Sequence, residues 1–285
     1  VAWGDYDKDG DLDFAISGLS GGLPLSKIYN NSGGEFSSNI LATITGLEGG
    51  ALAWGDADND GDLDLLTTGK DSTGAPKTLI YINSLNATGE NDFSTFITIA
   101  SGVWASSVAW GDFDNDGDSD FVLTGATATT EITEIWRNTA GAFAKLSSGV
   151  ASILGVSLSS VAWGDYDNDG DLDLFVAGKK LTTYYTNIYR NDLAGNTATF
   201  VSAVSLPGVQ NCSLALGDYD NDGDLDLLLT GEFSDGTTAT NYTQIYRNND
   251  HVFFLDPAYG YLPGVRFSSV AWGDYDSDGD LDLIL

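Results

Sequence analysis

The residues of this sequence that could do chemistry are aspartates set at every second position. The clearest stretch runs Asp165-Tyr166-Asp167-Asn168-Asp169-Gly170-Asp171-Leu172-Asp173, led in by Val161-Ala162-Trp163-Gly164. Asp165, Asp167 and Asp169 can offer side-chain oxygens to one centre, Asp171 its backbone carbonyl, and Asp173 a closing carboxylate. Gly170 can take the backbone angles that fold these oxygens inward. A donor set made only of oxygen points to a hard cation, calcium ahead of magnesium, and away from zinc.

The stretch occurs six times, beginning at Val1, Leu52, Val108, Val161, Leu214 and Val270. The other five loops carry Asp5, Asp7, Asp9, Asp11 and Asp13; Asp56, Asp58, Asp60, Asp62 and Asp64; Asp112, Asp114, Asp116, Asp118 and Asp120; Asp218, Asp220, Asp222, Asp224 and Asp226; and Asp274, Asp276, Asp278, Asp280 and Asp282. The loops differ little. Lys8 and Ser277 stand where the others have Asn, and Ser119 stands where the others have Leu. None of these changes removes a candidate ligand, so about six filled calcium sites are expected.

The loops also explain the charge. The chain has 285 residues and a formal net charge of −31, with 42 acidic residues against 11 Lys and Arg. Most of those acids lie in the six loops, so the acidity is metal-site chemistry before it is anything else. Nucleic acid, which needs a basic surface, is excluded as a partner. No apolar run is long enough for a membrane-spanning helix, so direct membrane insertion is not expected. The single Cys212 sits where Ser106, Ser159 and Ser268 sit in other copies and reads as a small buried filler. Sites of the weaker calcium class fill where calcium is millimolar, so a secreted or cell-surface setting is expected. The chain opens inside one repeat and stops inside another, which reads as a piece of a longer secreted protein.

The elements that must position the loops are short strands. The first strand of each repeat ends in a Trp-Gly lead-in at Trp3, Trp54, Trp110, Trp163 and Trp272, with Leu216 replacing the sixth tryptophan. An apolar run follows each loop, as in Leu225-Asp226-Leu227-Leu228-Leu229-Thr230, and suits a strand buried on both faces. A third strand carries Ile28-Tyr29, Ile80-Tyr81, Ile135-Trp136, Ile188-Tyr189 or Ile245-Tyr246. A polar turn then ends in Phe36, Phe93, Phe143, Phe200 or Phe253, and a fourth strand leads to the next repeat. No window has a helical period. The fold class is all-β, with four-stranded units at a period of about 53 residues and the recurrent aromatics packing one unit on the next. We expect a single domain over 1–285, with five complete units and a partial sixth.

The repeated Trp-Gly-Asp-Tyr-Asp-Asn-Asp-Gly-Asp-Leu-Asp-Leu pattern resembles the FG-GAP/VCBS repeats. The resemblance extends over essentially the whole chain and implies the calcium-binding β-propeller of integrin α subunits and of many secreted surface proteins. It implies that the first, third, fifth and ninth loop positions are the side-chain ligands, here Asp5, Asp7, Asp9 and Asp13 and their counterparts. It also implies six or seven blades, closed by sequence outside the chain. EF-hands fit less well, because the twelfth loop position holds Ile16, Thr67, Leu123, Val176, Leu229 and Leu285 rather than Glu. Nine-residue calcium β-helix repeats would recur far more often.

The function expected from these readings is a non-catalytic, calcium-stiffened binding or adhesion module for a protein or carbohydrate partner. The alternatives are a self-associating subunit of a surface filament or sheath, and an accessory domain of a secreted enzyme. The lone His251 has no evident catalytic partner, and no nucleophile or phosphate-binding motif occurs. Every carboxylate oxygen in a loop is expected to be engaged in closing the turn. Recognition is expected in the variable regions between second and third strands, Leu19 to Ser26, Lys70 to Lys77, Lys179 to Thr186 and Glu232 to Tyr242.

Overall fold

The computed structural model describes residues 1–37, 44–85, 91–195, 197–234 and 237–285. Among them every regular element is a β-strand, apart from one short 3-10 turn at Pro257–Tyr259. The first repeat forms a four-stranded antiparallel sheet of β1 (Ala2–Gly4), β2 (Asp13–Ser20), β3 (Leu23–Ser32) and β4 (Glu35–Ser37), in chain order. The second and third repeats form a seven-stranded sheet of β5 (Leu52–Gly55), β6 (Asp64–Lys70), β7 (Pro76–Leu85), β8 (Asn91–Gly111), β9 (Asp120–Ala126), β10 (Glu131–Arg137) and β11 (Ala144–Lys145). The fourth and fifth form another, of β12 (Ser157–Gly164), β13 (Asp173–Lys180), β14 (Thr183–Asn191), β15 (Phe200–Gly217), β16 (Asp226–Ser234), β17 (Ala239–Asn249) and β18 (Val252–Leu255). The sixth gives β19 (Ala271–Gly273) paired with β20 (Asp282–Ile284).

The chain divides into two compact units. One is Val1–Asp112 with Asp116–Leu146, and the other is Phe113–Asn115 with Ser147–Leu285.

The strand pattern differs from the sequence expectation at two repeat boundaries. The fourth strand of the second repeat and the first strand of the third are one continuous strand, β8, which pairs with β7 up to Val103 and with β9 from Trp104. In β15 the same hand-over occurs at Val209. The strand changes partner through a bulge, with Ala105 (φ 48°) and Asn211 (φ 49°) in the left-handed region. A bulge re-aims the strand without ending it, so one strand serves two repeats.

The hairpins between second and third strands are also tighter than expected. β2 and β3 pair as far as Ser20 and Leu23, which leaves only Gly21 (φ 61°) and Gly22 (φ 83°) as the turn. Two residues with positive φ match the twist of the flanking strands, so the strands can extend to the tip. β13 and β14 are likewise joined by two residues. The connection 71–75 is longer and is closed by Asp71 Oδ1, which accepts from Thr73 N and Ala75 N at 2.8 and 3.1 Å. Residues 235 and 236, within the fourth of the expected variable regions, lie outside the described residues.

The second strands carry the core, as their unbroken apolar runs predict. The first six residues of β6, β9, β13 and β16 are all buried. Each core cluster draws on two successive repeats. Tyr6, Ala15 and Ile28 pack with Leu65, Leu79, Tyr81 and Phe93 in the first unit, and Phe175 and Ile188 pack with Leu214, Leu227 and Tyr246 in the second. A sheet that buries one face only against its neighbour has no core of its own, so stability is shared along the repeats.

The lead-in tryptophans provide much of that packing. The ring of Trp54 stacks on Tyr6 with centroids 5.9 Å apart, and its Nε1 donates to Ala2 O at 3.2 Å. Trp110 Nε1 donates to Ala53 O at 3.3 Å, and Trp272 Nε1 to Ala215 O at 3.3 Å. This placement explains why glycine follows the tryptophan. A Cβ on Gly55 would lie 2.6 Å from the Trp110 ring, where no side chain fits. Cys212 is a small filler that is half-buried rather than fully buried as expected: its thiol donates to Leu158 O at 3.6 Å, and the desolvation of the thiol pushes its pKa up to about 12.

Candidate metal centre

Each loop leaves the first strand of its repeat and enters the second, so its last aspartate is held by strand pairing and its first follows directly on the paired glycine. Asp173 is the first residue of β13, lies opposite Gly164 and is fully buried. Its Oδ2 accepts from Tyr166 N at 3.1 Å and its Oδ1 from Asn191 N at 2.8 Å. Asp13, Asp64 and Asp226 are held in the same way, by Tyr6 and Asn31, by Ala57 and Asn83, and by Tyr219 and Asn248. The closing carboxylate therefore joins its own loop to the third strand of its repeat.

The first aspartate closes the turn. Asp165 Oδ1 accepts from Asp169 N at 3.1 Å and its Oδ2 from Gly170 N at 2.9 Å. The bend is made by two residues with positive φ, Asn168 at 56° and Gly170 at 93°. Lys8, Asn59, Asn115, Asn221 and Ser277 occupy the same left-handed position in the other loops. Asn tolerates that region better than most residues, which accounts for its recurrence.

These constraints bring the first, third and ninth positions together. In the trio Asp165, Asp167 and Asp173 one oxygen of each residue lies within 4.8 Å of the others, and the same holds for Asp5, Asp7 and Asp13, for Asp56, Asp58 and Asp64, and for Asp218, Asp220 and Asp226. The two units divide within the third loop, where the amides of Asp116 and Gly117 donate to Asp112 at 3.1 and 2.9 Å and Asp120 accepts from Asn138 N at 2.6 Å. Asp114 is buried. In the sixth loop Asp274 and Asp282 accept the corresponding amides, from Asp278, Gly279 and Tyr275.

The fifth position does not join these trios. The Oδ1 of Asp9, Asp60, Asp116, Asp169, Asp222 and Asp278 instead accepts the amide of the seventh residue, Asp11, Asp62, Asp118, Asp171, Asp224 or Asp280, at 2.8–3.1 Å. The seventh position also makes side-chain contacts that the expectation of a carbonyl ligand did not include. Asp11, Asp118 and Asp224 accept, through Oδ2, an amide from the turn after their own third strand, from Gly33, Ala140 and Asp250.

One expectation is overturned by this geometry. Not every carboxylate oxygen is engaged in closing the turn: Asp56 Oδ1, Asp167 Oδ1 and Asp220 Oδ1 are buried without a hydrogen-bond partner. A buried anionic oxygen left in that state is costly, and a cation among the trio relieves it. Burial pushes the Asp64 and Asp173 carboxyls up to about 7 and Asp226 up to about 6, although two amides on each act in the opposite direction. Burial, followed by the neighbouring fifth-position carboxylate, also raises Asp7, Asp58, Asp167 and Asp220. The donor set is all oxygen, anionic and partly desolvated, and it fits a hard divalent cation.

The loops are less alike than their sequences. Asp7 Oδ2 accepts from Asn30 Nδ2 at 2.5 Å, whereas Arg247 sets Nε 2.6 Å from Asp220 Oδ2 and donates from its Nη2 to Asp222 Oδ2 at 3.0 Å. The asparagine two residues after the Ile-Tyr pair was missed by sequence reasoning. Asn83, Asn138, Asn191 and Asn248 are fully buried, and each Nδ2 donates to a backbone carbonyl of the preceding loop, that of Tyr6, Ala57, Phe113 or Tyr166, at 2.8–3.0 Å. The signal was present in the recurrence of Asn at this register in all five complete repeats. His251, by contrast, is exposed, edge-on to Tyr166 and 4.0 Å from Asp250.

No curated protein matches the chain. Residues 1–67, which hold the first repeat and the first strand, loop and second-strand start of the next, match the model of the FG-GAP-like repeat.

Proposed function

We propose that the chain is an extracellular, non-catalytic binding or adhesion module, built as a β-propeller whose blades are stiffened by about six calcium ions. The observation that supports the reading best is the recurrent trio of converging carboxylates with a buried, unbonded oxygen, as at Asp167. Calcium would be held by the aspartates at the first, third and ninth positions of each loop, with the fifth and seventh positions completing the shell. A bound divalent ion supplies charge neutralisation inside a turn that otherwise gathers five carboxylates. The protein's own contribution is to hold these oxygens in place through amides from the loop itself, from the third strand of its repeat and from the turn that follows.

Recognition of a protein or glycan partner belongs to the variable connections on this scaffold. The two-residue hairpins offer little reach. The connection 71–75 and the stretch 256–270, where Tyr261 and Phe267 are 77% and 74% exposed, offer more. Tyr261 lies beside Tyr259 and Phe267 under the Arg266 guanidinium, and an aromatic ring so exposed on a loop is the kind of group that packs on a sugar ring or an apolar partner surface.

The test has two arms. Calcium content of the desalted protein is measured by atomic emission, with about six ions per chain expected and none contradicting the metal reading. Binding to a glycan array and to immobilised extracellular-matrix proteins is then measured with and without Tyr261→Ala and Phe267→Ala. Calcium-dependent binding lost in these variants supports the module reading. Calcium-driven self-association without any partner binding contradicts it in favour of a structural assembly.

A further inference from the structure

The residue at the fourth position of each of the first five loops reaches out of that loop and onto the next. In the first unit Lys8 Nζ lies 2.6 Å from Asp62 Oδ1, and Asn59 Nδ2 donates to Asp118 Oδ1. In the second unit Asn115, Asn168 and Asn221 donate from Nδ2 to Oδ1 of Asp171, Asp224 and Asp280, at 2.9, 2.8 and 2.9 Å. The acceptor is the seventh-position aspartate every time. Lysine in place of asparagine keeps the link as an ion pair, so the position is defined by what it reaches.

A second link runs the other way. Asn83 donates its backbone amide to the closing carboxylate of the second loop, Asp64, and its side chain to Tyr6 O in the first. Asn248 does the same between Asp226 and Tyr166 O. Consecutive loops are therefore tied twice, once at the bend and once at the closing carboxylate. The bend residue is held between the third-position and fifth-position aspartates, so a loop that tightens around an ion must carry its fourth residue with it.

We propose that Lys8, Asn59, Asn115, Asn168 and Asn221 are positioning residues that couple calcium binding in consecutive loops, so that each unit fills cooperatively. The inference rests on the calcium reading above. Filling one loop fixes its fourth residue, which fixes the seventh aspartate of the next loop, whose amide donates to that loop's own fifth-position carboxylate. The ordering cost is then shared between neighbours, and the second ion binds more tightly than the first.

The experiment is a calorimetric calcium titration of the chelator-stripped chain, with Asn168→Gly, Asn168→Lys and Asn115→Gly alongside, each checked for folding by circular dichroism. Glycine keeps the left-handed bend and removes only the link, whereas lysine reproduces the first loop's ion pair. The wild type is expected to bind with a Hill slope above one. Each glycine variant lowers the slope and weakens the midpoint by roughly fivefold or more, and Asn168→Lys restores both. Lys8→Gly, at an exposed ion pair, gives the same reading should Asn168→Gly not fold. Full calcium uptake with unchanged slope and midpoint in the glycine variants overturns the coupling and leaves the metal reading intact. No uptake by the folded wild type overturns the metal reading, and the coupling with it.

Discussion

Asn168 Nδ2 donates to Asp224 Oδ1 at 2.8 Å although 56 residues separate them. The contact joins the bend of the fourth loop to the seventh position of the fifth, and it recurs at every pair of consecutive loops within each unit. The acidic loops are thus cross-braced turns rather than six isolated ones.

The closing aspartate anchors the loop even without an ion. Asp173→Ala leaves the amides of Tyr166 and Asn191 buried without acceptors. Urea unfolding in the presence of chelator is expected to show a loss of about 2–4 kcal/mol. A loss under 1 kcal/mol would mean that water enters and replaces the carboxylate.

Glycine after the tryptophan is a packing requirement. Gly55→Ala drives a methyl group into the Trp110 ring, with backbone held on both sides by β5 and β6. Destabilisation of about 1–3 kcal/mol is expected, together with a shift in tryptophan emission. An unchanged spectrum would contradict the close packing.

Arg247 competes with a cation at the fifth loop, since its guanidinium pairs with both Asp220 and Asp222. Arg247→Met is expected to tighten calcium binding at that loop by on the order of tenfold, read as the loss of the weakest binding class in calorimetry. Arg190→Met, whose guanidinium is paired with Asp192, changes affinity far less.

Acidity acts oppositely on the calcium-free and calcium-loaded protein. In the calcium-free fold the Asp64 and Asp173 carboxyls sit near 7, raised by burial above their unfolded value of 3.8. A raised carboxyl contributes stability that is present below the unfolded pKa and is lost as pH rises through the folded pKa. In chelator the chain is therefore expected to melt at higher temperature at pH 5 than at pH 8. With saturating calcium, which binds only the ionised carboxylates, the order reverses. Melting curves at the two pH values check both signs.

Much of this architecture was legible in the sequence because the signals were periodic. Asp at every second position, Gly170 at the bend and the Trp-Gly lead-in each state a local geometric need, and six repetitions raise them above chance. The unbroken apolar run of β16 announced its burial for the same reason. What the sequence hid depended on partners far away in the chain. The left-handed bend favours Asn at position 168, but nothing local says that its amide ends on Asp224. Nor does the sequence show that Asp222 accepts an amide while Asp167 keeps a buried oxygen unpaired, because that choice is made by the backbone path of the turn. The hand-over strand β8 was hidden as well, since a bulge at Ala105 has no side-chain signature.

The measurement that bears most directly on the central claim is thermal unfolding of the chelator-stripped chain with and without millimolar calcium, with magnesium as the control. Ions that bind only the folded loops raise its stability by mass action, by about 2.7 kcal/mol per site at a hundredfold excess over Kd. Calcium is expected to raise the melting temperature by a large amount and magnesium by much less. Equal melting temperatures in chelator, magnesium and calcium would contradict the calcium reading.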